Sequence, residues 1–117
     1  MNYHLADFYD VDEETPTEDM EDLVRDAITI YDANTSIPLS EIYLVGGLVR
    51  EDTTYEGRKD VDVAFVPLEP MDDHEQDRLY WMITNHLQQT FGENYEVFVG
   101  PLDETRDENI ELTSHFI

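Results

Sequence analysis

Apolar residues along this chain change their spacing several times, and each change marks an element. Met20, Leu23, Val24, Ala27, Ile28 and Tyr31 recur every three or four positions, which predicts a helix with one apolar face running to about Asp32. Thr15-Pro16-Thr17-Glu18 reads as its start, with Thr15 as N-cap, Pro16 at the first helical position and Glu18 closing a capping box. Asn34, Ser36 and Pro38 break the pattern, and the apolar run from Ile42 to Val45 predicts a first core strand ending at Gly46-Gly47. Leu48, Val49 and Arg50 open a turn or short helix, and residues 51–59 form a polar loop. Val61 to Val66 is the second strand, stopped by Pro67. Asp72 and Asp73 open a second helix that carries Leu79, Met82, Ile83, His86, Leu87 and Phe91 on one face and ends near Gly92. Tyr80, Trp81 and Phe91 read as core and not as a stacking platform. Tyr95 to Val99 is a third strand closed by Gly100-Pro101, residues 102–108 are an acidic loop, and Ile110, Leu112 and Phe116 predict an edge strand.

This order predicts an α/β (α+β) fold, a small mixed sheet of three to four strands flanked by two main helices. Residues 1–14 hold apolar side chains too irregularly to assign and form an N-terminal arm, with residues 15–117 a single domain. A chain of 117 residues can bury one core. No apolar run approaches the length of a membrane span and no basic-then-apolar leader opens the chain, so the expectation is a protein without a membrane partner, in the cytoplasm. With no cysteine, disulfides, thiolate metal sites and a cysteine nucleophile are excluded.

Charge changes the picture. Against 29 acidic residues stand six cations, Lys59 the only lysine, for a formal net charge of -23. The acids are spread through almost every segment, which suits the solvated surface of a protein from a high-salt, halophile cytoplasm. A competing reading is an acidic nucleic-acid mimic. The shortage of cations argues against an autonomous grip on a long polynucleotide, whose backbone is held by displacing its counterions.

Two short motifs carry candidate chemistry. A strand ending in Gly46-Gly47 can turn backbone N–H groups toward an anion. In Asp60-Val61-Asp62-Val63, strand alternation sends the valines into the core and puts both carboxylates on the opposite face. Alone, a glycine pair serves any tight turn, and an Asp-x-Asp is expected by chance in so acidic a chain; their order and separation distinguish them. His4, His74, His86 and His115 form no metal-binding pair, and His86 reads as a hydrogen-bonded core or boundary residue.

Val45-Gly46-Gly47-Leu48-Val49-Arg50-Glu51, followed by Gly57-Arg58-Lys59-Asp60-Val61-Asp62-Val63-Ala64, resembles the head domain of class II tRNA CCA-adding enzymes and bacterial poly(A) polymerases, members of the DNA polymerase β-like nucleotidyltransferase superfamily. The resemblance covers roughly residues 40–99. It implies a nucleotidyltransferase-like fold in which Asp60, Asp62 and a third carboxylate, Glu96, are catalytic and hold two magnesium ions. Gly46, Gly47, Arg50 and Lys59, with Arg58 beside it, would lie against the nucleotide. The implied activity is magnesium-dependent transfer of a nucleoside monophosphate from a nucleoside triphosphate to a hydroxyl acceptor. The helical regions that such enzymes use to select a base and hold tRNA have no counterpart here, so a partner chain is expected to supply them. Glu96 also reads as an ordinary solvent-facing strand residue, and a catalytically silent binding or regulatory module of the same fold stays open beside the enzyme.

Overall fold

The computed structural model describes residues 4–49, 60–102 and 109–117. In chain order it contains a 3-10 turn at Leu5–Asp7, β1 (Tyr9–Asp10), β2 (Thr15–Pro16), α1 (Glu18–Asn34), β3 (Leu39–Val45), β4 (Val61–Pro67), α2 (Asp73–Thr90), β5 (Tyr95–Val99), β6 (Ile110–Glu111) and α3 (Thr113–Phe116). The main sheet runs β5-β4-β3-β6, and β1 and β2 form a separate two-stranded ladder. β3 is antiparallel to both β4 and β6, whereas β4 and β5 are parallel. This is the mixed four-stranded sheet with two main helices that the sequence predicts.

The start of α1 differs from expectation. Its N-cap is Thr17, not Thr15, and Thr15–Pro16 is strand, paired with Tyr9–Asp10. The residue before a proline is pushed toward extended backbone, which holds Thr15 in the ladder. The Thr17 hydroxyl accepts from the Met20 amide at 3.5 Å and donates to the Asp7 carbonyl at 2.8 Å, so one side chain caps the helix and ties it to the N-terminal segment. Three acids in the first turn of α1 face the positive end of its dipole. At the other end the Arg78 guanidinium, paired with Glu75, donates to the Asn34 carbonyl at 2.7 Å. α2 begins at Asp72, whose carboxylate accepts from the Glu75 amide at 2.8 Å, and stops at Gly92, where φ is +143°.

Both helices pack on one face of the sheet. Met20, Leu23, Val24, Ala27 and Tyr31 of α1 and Leu79, Ile83 and Leu87 of α2 are buried against Val61, Val63 and Phe65 of β4 and Val97 of β5. Tyr31 meets Phe65 edge to face at 6.0 Å. His86 bridges the helices through Asp26 at 2.6 Å, a boundary position as expected. The unassigned N-terminal segment buries Phe8 beside Tyr95, a burial worth roughly 1.5–3 kcal/mol. Trp81 is 59% exposed, and Phe91 and Met82 are partly so, which corrects their core assignment. Trp81 falls between the Leu79 and Ile83 turns and points away from the stripe they define.

Side chains also close the sheet's borders. On β5, the Val97 amide donates to Thr84 Oγ1 at 3.1 Å and the Tyr95 carbonyl accepts from Gln88 Nε2 at 3.4 Å, both from α2. On β3, the expected edge strand is only two residues long; Leu112 then donates to the Ile42 carbonyl at 2.7 Å, and Thr113 Oγ1 accepts from the Ile42 amide at 3.0 Å. From there α3 replaces the predicted strand. No helix among the described residues is long and apolar enough to cross a membrane.

Candidate functional site

Alternation along β4 and β5 leaves Asp62, Ala64, Glu96 and Phe98 on the face that the helices do not cover. The parallel register pairs Asp62 with Glu96 and Ala64 with Phe98, while the antiparallel register sets Val45 beside Asp62. Neighbouring residues in register share a face, so the Asp62 and Glu96 carboxylates lie side by side. Adjacent like charges on neighbouring strands oppose folding by about 0.2–1 kcal/mol.

The glycine turn approaches the same place. Gly46 ends β3 with φ of +84°, a conformation L side chains rarely adopt, and a Cβ there would stand 2.3 Å from Asp62 Oδ2. Conformation and space therefore both demand glycine at 46. Gly47 is different: among the described residues nothing lies within 4 Å of where its Cβ would be. Residues 47–49 form the turn, closed by the Val49 amide donating to the Gly46 carbonyl at 3.2 Å, with Leu48 and Val49 anchored in the core.

Tyr80 reaches this face from α2, around the β5 border. Its hydroxyl donates to Glu96 Oε1 at 3.3 Å, and its ring stacks on Phe98 with centroids 5.5 Å apart and planes at 22°. Burial first, then the charge of Glu96 and its hydrogen bond and the charge of Asp62, push the Tyr80 hydroxyl above the ordinary tyrosine range. That hydroxyl stays protonated beside the two carboxylates at neutral pH.

Asp60 precedes β4 and is exposed. Among the described residues no three His, Cys, Asp or Glu side chains are gathered closely enough to hold a metal ion, so Asp60 does not complete a set with Asp62 and Glu96. Arg50, Arg58 and Lys59 lie outside the described residues. Two adjacent carboxylates are nonetheless the hard oxygen donors that magnesium takes, commonly one or two from protein with the rest from substrate phosphates and water. The pair fits one such ion.

The sequence assigns neither Tyr80 nor Phe98 to this face. Phe98 had a signal: a large apolar residue two positions from Glu96 on an alternating strand must share its face. Tyr80 had none, because its reach depends on where α2 crosses β5. Beside Asp62 the open face forms a cleft of ≈590 Å³ that extends past Ala64 and Phe98 to Gly100 and Leu102.

No protein-family model matches the chain, and no curated protein matches its sequence. Among solved structures, a mutant of the toxin–antitoxin complex MntA–HpeT aligns with it at 15% identity and a TM-score of 0.40, over 64% of this chain and 55% of that one. The chain thus spans little more than half the length of the solved chain it matches.

Proposed function

We propose that the chain is a minimal nucleotidyltransferase-like domain that binds a nucleoside triphosphate with magnesium and transfers its nucleoside monophosphate to a hydroxyl acceptor. The observation that carries this reading is the in-register pair Asp62–Glu96 with Gly46 packed against Asp62. Asp62 and Glu96 are the residues that would hold magnesium. No described residue crowds Gly47, where a side chain would stand between the turn and a phosphate. Asp60, two residues from Asp62 and exposed, would be the further carboxylate available to a second ion. Magnesium, when bound, would neutralise the triphosphate and lower the pKa of the acceptor hydroxyl. The rigid sheet fixes the attack geometry.

A second reading, the silent binding module, is favoured by the Tyr80–Glu96 hydrogen bond and by the separation of Asp60 from the other two carboxylates. One experiment separates them. Magnesium-dependent ATP binding is measured by calorimetry in molar salt, which screens the large negative charge, for wild type and an Asp60→Asn, Asp62→Asn double mutant. Loss of binding in the double mutant, with loss of label transfer from radiolabelled ATP, supports the enzyme. Equal binding by both proteins rejects it.

A further inference from the structure

Phe98 is 45% exposed, yet it is not a loose surface ring. Tyr80 stacks on it, and the Tyr80 hydroxyl is tied to Glu96, so the ring's orientation is set from behind. Its register partner on β4 is Ala64, the smallest side chain on that face, which leaves the floor low next to the ring. Both line the cleft that begins at Asp62. Along β5, Phe98 stands two residues from Glu96, about 6.6 Å at the usual strand rise. A flat apolar surface is therefore held at a fixed step from a carboxylate pair.

Resting on the nucleotidyltransferase reading above, we propose that Phe98, backed by Tyr80, is a stacking platform for a nucleobase, so that the cleft takes a nucleoside with its 5′ phosphates toward Asp62 and Glu96. Three observations favour a single base over a protein partner. The cleft has the size of a small-molecule site. Ala64 makes it a slot beside the ring and not a broad apolar patch. The amide side chain of Gln76, fixed by its 2.6 Å bond to the Met71 carbonyl, lines the same cleft and offers polar atoms to a base edge. Stacking tolerates any base, because every base has a π face. Tyr80 acts as a positioning residue for Phe98.

The test uses adenosine, which carries no phosphate and needs no metal. Calorimetric titration of the full chain with adenosine, in molar salt with EDTA, should show saturable binding. Trp81, the only tryptophan, lies 5.2 Å from Tyr80, so its fluorescence should change in the same titration. Phe98→Ala should weaken binding roughly 5- to 150-fold, the equivalent of one lost base–aromatic stack. Phe98→Leu, which keeps apolar bulk without a π face, should weaken it too, and Phe98→Tyr should retain it. Thermal melting checks that each variant is folded. Failure of wild type to bind adenosine, or equal binding by wild type and Phe98→Leu, overturns the platform. The enzyme reading fails separately: ATP with magnesium binding no better than adenosine rejects the carboxylate site while leaving a Phe98-dependent base site standing.

Discussion

The two faces of one sheet are built from the same strands and obey opposite rules. Facing the helices, Val61, Val63, Phe65 and Val97 are sealed among apolar neighbours. Facing away, Asp62, Ala64, Glu96 and Phe98 alternate with them and collect two carboxylates, a small residue and an exposed ring. Burial explains the first set fully. It explains none of the second, where like charges adjoin and a phenylalanine stays wet. Stability is concentrated on one face and the candidate site on the other, so substitutions should sort by face.

The largest expected effect lies on the buried face. Phe65→Ala removes a fully buried ring that Tyr31 contacts, and should cost about 3–5 kcal/mol in denaturant unfolding. For a domain with a net stability of roughly 5–15 kcal/mol, that is a large share. A cost below that of Phe98→Ala would break the division between the faces.

Next are the two glycines at the border between them. Gly46→Ala should destabilise by about 1–3 kcal/mol, from positive φ and from collision with Asp62. Gly47→Ala should fall within about 0.5 kcal/mol of wild type, since its Cβ would meet none of the described residues. If the Gly46–Asp62 contact matters to the site, Gly46→Ala should also lose ATP binding in the fraction that stays folded. Equal melting temperatures for the two variants would show that the turn is not as drawn.

On the open face the sign should reverse. Asp62→Asn with Glu96→Gln removes a like-charge pair and should raise metal-free stability by roughly 0.2–1 kcal/mol while abolishing the stability that magnesium and ATP together add to wild type. Unfolding with and without the ligands reads both terms. Destabilisation by the double substitution would mean that the carboxylates support the fold.

A further effect belongs at alkaline pH and touches both faces. Burial first, then nearby acids, pushes the Tyr31 hydroxyl up to about 12; burial first, then the hydrogen bond to Glu41, does the same for Tyr43. A hydroxyl whose folded pKa is raised contributes stability that is complete below the unfolded value of 10.0 and is lost as pH climbs toward about 12. Unfolding free energy should therefore be flat to about pH 10 and fall above it, and Phe at either position should make the fall shallower. A clearly shallower fall in the Tyr43→Phe, Tyr31→Phe double variant than in wild type is the check.

Much of this division was legible in the sequence. Val61-Asp62-Val63 and Tyr95-Glu96-Val97 announce their alternation, Asp72 announces a helix start, and Gly46 marks the end of β3. What was not legible is tertiary. Nothing along the chain sets Asp62 opposite Glu96, because the β4–β5 register is fixed by how α2 returns the chain. Local chemistry also misled at Thr15, where a capping-box spacing competed with the extended bias before Pro16 and lost. Trp81 looked like core from composition alone, and only the angular position of the Leu79–Ile83–Leu87 stripe turns it outward. Arg50 and Lys59 lie outside the described residues.

The small side-chain bonds along the sheet's two borders carry a consequence for behaviour in concentrated brine. Molar salt shortens electrostatic range to about 3 Å, so the net charge of -23 no longer keeps neighbouring molecules apart. Exposed strand backbone would then be free to recruit another chain by intermolecular β-pairing. Thr84 and Gln88 occupy backbone groups of β5 that such pairing would need, and Leu112 and Thr113 occupy those of Ile42 on β3. Where charge repulsion fails as a guard against aggregation, two threonine hydroxyls and one glutamine amide take over the task, and they do so without depending on salt.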